Sequence, residues 1–338
     1  MPTDRPNSTV HTNTVIAVDT TDGTEMEEAL KLPIIDLSSP DRSSTASTLR
    51  QVRSIFAAEK YGFFYVVNHG VEEELTGRLF EESKKFFSLP LEEKMKLFRK
   101  EHRGYTALFG EKLDPYSASK GDCKESYYIG PLEDIYSPTK LNQWPSQGKT
   151  MCYNLLSTES LPSWRATMES FYSKVFSAGK RLLSLIALAL DLNEDFFEKV
   201  GNLDRSAAFL RLLHYPGGSV DSGEEIYGAS AHSDYGMVCR EKSKQPWVWE
   251  DVPHINGAFI VNIGDMMERW TNCLFRSTLH RVMPFGKERY SVAFFLDPNE
   301  DCVVECIESC CNESSPPRFP PIRSGDYMKE RFRLTYGS

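Results

Sequence analysis

Three side chains in the second half of the chain have the chemistry of an open metal site. His232 and Asp234 form a His-x-Asp pair, and His280 follows further along the chain. Residues two apart on a strand share a face, so the pair could reach one ion. Two imidazoles and a carboxylate suit Fe(II) and leave other coordination positions open. We therefore predict a catalytic iron held by these three residues. The alternative is a surface His-x-Asp pair with a separate core histidine.

Arg289 and Ser291 follow His280 at a spacing that suggests a second part of the same site. The interval fits one strand, a turn at Gly286 and a return strand, so we expect a hairpin that brings both side chains beside the metal. Arg can hold a carboxylate through two hydrogen bonds, and Ser can donate another. Tyr215 is a candidate third donor, although a buried core tyrosine is an equal alternative. These residues predict a binding site for a 2-oxo acid co-substrate.

The hydrophobic periodicity places these residues behind a helical N-terminal region. Helical spacing covers residues 43–60, 71–87, 91–98 and 164–190, and β-rich runs occur at 32–37 and 63–67. Residues 103–148 have no clean period. Short β-rich runs then follow at 207–215, 247–250, 258–263, 277–282 and 290–296. Closely spaced short strands are typical of a sandwich or barrel-like core. The pattern predicts an α+β fold.

Composition limits the classes of partner. The net charge of −9, without a block of Lys or Arg, argues against binding to nucleic acid or to an anionic membrane. No run approaches the roughly 20 apolar residues of a membrane span. Eight cysteines without a secretory signal indicate reduced thiols. We expect a cytoplasmic monomer that acts on a small-molecule substrate, with a disordered tail over residues 1–30.

Three cysteines and two further histidines could also bind a metal, but the sequence favours structural roles for them. Cys302, Cys306 and Cys310 recur at four-residue steps, so a helix would stack them on one side. They have no histidine partner, which favours a structural role over a zinc site. His69 and His214 lie in apolar strand contexts and are interpreted as hydrogen-bonded core histidines.

The motifs together resemble those of the iron(II)/2-oxoglutarate-dependent dioxygenases, in their isopenicillin-N-synthase-like plant and fungal branch. This resemblance implies a double-stranded β-helix (jelly-roll) core. It also implies Fe(II), 2-oxoglutarate and O2 as cofactor and co-substrates, with release of succinate and CO2 as a small organic metabolite is hydroxylated or desaturated. The segments that carry it are His232/Asp234, His280-Arg281-Val282, Arg289/Ser291, Leu32 to Asp36, Gly62 to Gly70, Lys124-Glu125 and Asn262 to Asp265.

Two departures from the family pattern bear on activity. The family usually has Asn at the position of Leu213. It also has an apolar strand, a turn and a Gly-Leu-Gln-Val run after His-x-Asp-x-Gly, whereas here Met237 leads directly to Val238-Cys239-Arg240-Glu241. A strand and its turn, about 12 residues, are therefore predicted to be missing after Met237. The alternatives are an inactive homologue, a splice or gene-model variant that acts as a binding protein, or an oxidase of the same fold that uses no 2-oxo acid.

The predicted organisation follows from these patterns and from the resemblance. The divisions are a tail (1–30), an N-terminal dioxygenase region (31–150), a long helix bridging to the core (151–200), the Fe(II)/2-oxoglutarate dioxygenase domain (201–300) and a C-terminal segment (301–338).

Overall fold

A computed structural model describes most of the chain and contains both helices and sheets, as the α+β prediction requires. The predicted strand at 247–250 and the junction after Met237 lie outside the described residues. The described residues are 14–18, 32–38, 41–59, 62–114, 121–132, 141–146, 161–217, 227–232, 234, 251–283 and 286–336.

Three long helices alternate with the strands of the first half, and the predictions at 43–60, 71–87 and 164–190 are confirmed. The helix predicted over 91–98 ends early, because the backbone turns and Phe98 forms a β-bridge with Tyr105. Within the described residues, none of the helices has the length and apolar character needed to cross a membrane. The α-helices are α1 (Arg42–Glu59), α2 (Glu73–Phe87), α3 (Leu91–Met95), α4 (Trp164–Ala189), α5 (Phe196–Val200), α6 (Asp265–Trp270) and α7 (Ser324–Tyr336).

The strands form one large sheet and two small ones. The large sheet has the order β2-β3-β8-β1-β10-β6-β5-β4, while β7 pairs with β9 and β11 pairs with β12. Within the large sheet, β2 runs parallel to β3 and the other pairs are antiparallel. The strands are β1 (Thr14–Val18), β2 (Ile34–Asp36), β3 (Phe63–Val67), β4 (Gly104–Thr106), β5 (Glu125–Ile129), β6 (Phe209–Tyr215), β7 (Ala229–His232), β8 (Phe259–Asn262), β9 (His280–Val282), β10 (Arg289–Phe295), β11 (Val303–Val304) and β12 (Ile322–Arg323).

Two predictions about this sheet are wrong. Residues 103–148, expected to be irregular, contain β4 and β5. All five residues of β5 are buried, so its sequence lacks the alternation that marks a half-exposed strand. The tail was predicted to be disordered over 1–30, but its described residues, 14–18, form β1, which pairs with β8 on one side and with β10 on the other.

The large sheet has helices on one face and the β7–β9 pair on the other. On the helical face, Phe294 of β10 meets the ring of Tyr172 in α4 at 5.1 Å. On the opposite face, Leu213, Tyr215 and Ala293 form a separate apolar cluster against which Val282 of β9 packs. Since side chains alternate along a strand, Arg289 and Ser291 share the face of Ala293. Both therefore lie on the side of the sheet that carries β7 and β9.

Candidate active site

The two histidines meet because β7 and β9 are paired antiparallel with His232 opposite His280. Their ring centroids are 5.0 Å apart. Asp234 completes a group in which one ligand atom from each residue lies within 4.8 Å of the others. The strand assumed for the His-x-Asp pair ends at His232, and Asp234 lies in a bend beyond it. The three side chains predicted from the sequence nevertheless converge.

Backbone carbonyls set the orientation of both imidazoles. Nδ1 of His232 lies 3.2 Å from the carbonyl oxygen of His280, and Nδ1 of His280 lies 3.2 Å from that of Thr278. A carbonyl can only accept, so each Nδ1 carries the proton and Nε2 is the nitrogen suited to a metal. Burial lowers the pKa of His280 to about 4 and, helped by the neighbouring His280, lowers that of His232 well below its usual value. Both imidazoles are therefore neutral near pH 7, which is the form that can bind a metal.

A buried asparagine supports the carboxylate. Asp234 is buried, and its Oδ2 accepts a hydrogen bond of 3.3 Å from Nδ2 of Asn262. Asn262 is the last residue of β8 and has no solvent exposure. Asn262 belongs to the motif from Asn262 to Asp265, from which the sequence predicted no role for this residue. The contact fixes the direction in which the Asp234 carboxylate points.

A buried charged cluster anchors the start of β7. Oδ1 of Asp122 accepts hydrogen bonds from the backbone N–H of Ser230 at 2.9 Å and from its hydroxyl at 2.6 Å. Lys124 joins Asp122 at 2.7 Å to Glu111 at 2.8 Å, and Arg211 also contacts Glu111. Burial alone would raise the pKa of Glu111, but Arg211 and Lys124 outweigh it and hold that pKa below its usual value. The cluster was not predicted from the sequence, because its members are far apart in the chain; Lys124 was noted only as part of the motif Lys124-Glu125.

Arg289, Ser291 and Tyr215 lie together on the large sheet, but the predicted hairpin is wrong. Strand β10 pairs with β6 and β1, whereas β9 pairs with β7, so the chain crosses between sheets after His280. Arg289 is opposite Tyr215 in the register, and its guanidinium carbon lies 4.6 Å from the centre of that ring. Ser291 is buried opposite Leu213. Arg289 and Ser291 therefore lie on the face of the large sheet against which the β7–β9 pair stacks, and they share no hairpin with His280.

Gly228, just before β7, shows how closely the two sheets approach. A Cβ at this position would lie 3.0 Å from Cδ1 of Tyr215 and 3.1 Å from Cγ1 of Val282. Its backbone N–H donates to the carbonyl of Val282 at 2.9 Å. Glycine therefore permits Tyr215 to pack directly beneath the strand pair that carries the histidines.

His69 and His214 are hydrogen-bonded core histidines, as predicted. His69 is buried and stacks on Phe259 with ring centroids 3.6 Å apart. His214 is buried between Glu125 at 2.7 Å and Glu288 at 2.8 Å. Glu125, for which the sequence suggested no role, also accepts hydrogen bonds from Lys94 and Tyr105.

The cysteine segment differs from its prediction in backbone conformation. Residues 302–310 contain β11 and a short 3-10 turn, so no helix stacks the three thiols. Cys302 and Cys310 are buried in the main apolar core, and Cys306 packs against it. These contacts fit the structural role.

Comparison with known proteins identifies the family. Residues 32–147 match the family model described as non-haem dioxygenase in morphine synthesis N-terminal, and residues 208–298 match the 2OG-Fe(II) oxygenase superfamily. The chain is 39% identical to kihadalactone A synthase LFS of Citrus sinensis and 36% identical to azadirone synthase LFS of Melia azedarach. Each comparison covers 93% of this chain and 95% of the relative. The chain belongs to the 2OG-Fe(II) oxygenases.

A solved structure supports the same assignment. The crystal structure of a full-length Neurospora crassa protein in complex with alpha-KG has 28% sequence identity and a TM-score of 0.72. The match covers 91% of this chain and 98% of that one. The predicted family, the enzyme type and the use of Fe(II), 2-oxoglutarate and O2 are confirmed. The alignment with the Citrus protein runs over 340 positions, but only 93% of the 338 residues of this chain take part in it. The alignment therefore contains gaps in this chain.

Proposed function

We propose that His232, Asp234 and His280 hold Fe(II), and that Arg289 and Ser291, with Tyr215, hold the far carboxylate of 2-oxoglutarate. The enzyme then hydroxylates or desaturates a small organic metabolite, with release of succinate and CO2. The observation that supports this most directly is the convergence of the three ligand atoms within 4.8 Å.

The donor set fits Fe(II), because two neutral imidazoles and one carboxylate form the three-residue set of non-haem iron oxygenases. The chemistry supplied by bound Fe(II) is the oxidative decarboxylation of 2-oxoglutarate by O2, coupled to oxidation of a substrate C–H bond. The residues of the chain orient the reactants. Carbonyl groups hold the imidazoles, Asn262 holds the carboxylate, and the ring of Tyr215 restricts the guanidinium of Arg289.

The substrate class is supported by the relatives. Two of them are named as synthases of single compounds, kihadalactone A and azadirone. We infer from the facing sheets that β7 and β9 belong to the same jelly roll as the large sheet, which would enclose a small molecule between them.

The ligand assignment is tested with Asp234→Ala and a matched control, Asp251→Ala, which removes an exposed carboxylate. Anaerobic addition of Fe(II) and 2-oxoglutarate to the full-length enzyme should give the weak visible band of the chelate. The control should keep both the band and succinate formation, and Asp234→Ala should lose both. Unchanged succinate formation in Asp234→Ala would reject the assignment.

The co-substrate assignment is tested with Arg289→Gln. We expect the 2-oxoglutarate concentration for half-maximal succinate formation to rise about tenfold or more, with Fe(II) affinity unchanged, because one bidentate carboxylate contact is lost. An unchanged 2-oxoglutarate requirement would contradict the role of Arg289. Folded protein that binds Fe(II) but gives no chelate band with 2-oxoglutarate would favour the inactive binding protein. Substrate oxidation without 2-oxoglutarate would favour the oxidase.

A further inference from the structure

A strand from the N-terminus lies in the middle of the large sheet. Strand β1 pairs antiparallel with β8, where Thr14 is opposite Asn262. It also pairs antiparallel with β10, where Val18 is opposite Ser291. Within the described residues, β1 is the strand that separates β8 from β10.

This strand lies outside both family matches, which begin at residues 32 and 208. Its neighbours β8 and β10 both lie within the match over 208–298. A segment that the family models do not include thus occupies a central position among strands that they do include. In relatives that conform to the family models, another strand must fill this position, or β8 and β10 must pair directly.

The sequence identifies a candidate for the strand that β1 replaces. About 12 residues, enough for a strand and its turn, are predicted to be missing after Met237. The alignment with the Citrus relative also opens gaps in this chain. Unless β8 and β10 closed together, an empty position between them would leave backbone N–H and C=O groups unpaired inside the sheet, which is costly. Thr14-Val15-Ile16-Ala17-Val18 is rich in β-branched residues and suits this position.

We propose that the N-terminal segment 14–18 is a substitute core strand, which fills the sheet position left by the missing strand and joins the strand that supports Asp234 to the strand that carries Arg289 and Ser291. Strand β8 ends at Asn262, which contacts Asp234, and β10 carries Arg289 and Ser291. Pairing with β1 fixes the spacing between these strands. The assignment of β1 as a substitute strand is independent of the proposed function. Only its role in positioning the metal ligands rests on that function.

Engineered disulfides test the register in the full-length chain. Val18→Cys with Ser291→Cys, and Ile16→Cys with Ala293→Cys, join residues that are directly opposed. Opposed residues on antiparallel strands are close enough for a disulfide. The same four substitutions in swapped pairs, Val18→Cys with Ala293→Cys and Ile16→Cys with Ser291→Cys, are out of register and serve as controls. Peptide mapping after mild oxidation should find the disulfide in the opposed pairs only. Equal cross-linking in all pairs, or none in the opposed pairs, would overturn the proposal.

A proline substitution tests the contribution to the site. Ile16→Pro removes a ladder hydrogen bond from a central strand and should lower Tm by about 5 °C or more, whereas Ser8→Pro, at a position before the strand begins, should not. Zn(II) affinity should fall about tenfold in Ile16→Pro, because the support of Asp234 is disturbed. Addition of a synthetic peptide with the sequence of residues 14–18 should restore both the Tm and the Zn(II) affinity of the Ile16→Pro protein. The same peptide with Ile16→Pro should restore neither. An equal Tm for Ile16→Pro and Ser8→Pro would overturn the proposal. If Ile16→Pro does not fold, the disulfide test still decides, because it uses neither proline variant.

Discussion

Asn262 offers a sensitive test of the metal site, because it contacts a proposed ligand without being one. Asn262→Leu has a similar size but removes the N–H donor to Asp234. Hydrogen bonds to charged groups contribute about 1.5–3 kcal/mol. The distance of 3.3 Å between Nδ2 of Asn262 and Oδ2 of Asp234 is longer than the roughly 2.7–2.9 Å of strong charge-assisted bonds. We therefore use the lower end of this energy range. A loss of about 1.5 kcal/mol corresponds to about tenfold weaker metal binding.

The assay is a Co(II) or Zn(II) titration of the full-length enzyme, with Asn142→Leu as the matched control. Asn142 is also buried, but its side chain bonds the backbone of Gly130 and Pro131. Both variants should lose stability, and only Asn262→Leu should lose metal affinity. Equal loss of affinity in the two variants would mean that general destabilisation is responsible. Unchanged affinity in Asn262→Leu would refute the role of the Asp234 contact.

Three further substitutions test the scaffold. Gly62→Ala would press a Cβ against the carbonyl oxygen of Arg276, so urea unfolding should show a loss of about 1–3 kcal/mol; an unchanged midpoint would contradict this close contact. Lys94→Met leaves the buried carboxylate of Glu125 without its cation and should cost about 3 kcal/mol in the same assay, with partial recovery when Glu125→Gln is added. Burial raises the pKa of Asp297 to about 7. Ionisation of this buried carboxyl group therefore lowers the free energy of unfolding by its full amount above that pH, and by less as the pH falls toward the ordinary pKa of a carboxyl group. The stabilisation gained from Asp297→Asn should therefore be larger at about pH 8 than at about pH 5, by about 1 kcal/mol or more, and equal gains at both would contradict the assignment.

The candidate ligands could be predicted because their chemistry is local in the sequence. His232, Asp234 and His280 are residue types that bind iron, and their spacing restricted the alternatives. The periodicity likewise located α1, α2, α4 and most strands of the second half, since an amphipathic helix or strand reports its own burial. The position of Asn262 beside Asp234 was not accessible in this way, because it depends on how distant strands pack.

Strand partners were predicted less well than the strands themselves. The interval from His280 to Arg289 permitted a hairpin, but turn signals do not report which neighbour each strand will pair with. The same limit applies to the N-terminus. Its low content of large apolar residues indicated disorder, although its β-branched run from Thr14 to Val18 was a local strand signal. Whether such a run becomes a strand depends on the partners that distant parts of the chain provide, here β8 and β10.

The sheet order has a consequence for how the two halves of the site depend on each other. The proposed ligands His232 and His280 are on the β7–β9 pair, whereas Arg289 is on the large sheet. Val282 of β9 packs against the cluster of Leu213, Tyr215 and Ala293 and so joins the β7–β9 pair to the large sheet. Among the described strands, β7 and β9 pair with each other and not with β1. The Asp234 contact, in contrast, comes from β8, which is joined to β10 through β1. Loss of β1 pairing should therefore weaken metal binding through the carboxylate while the histidine pair stays in place. Direct disruption of the stacking, for example by Gly228→Ala, should instead separate the proposed metal ligands from Arg289 and raise the 2-oxoglutarate concentration for half-maximal succinate formation.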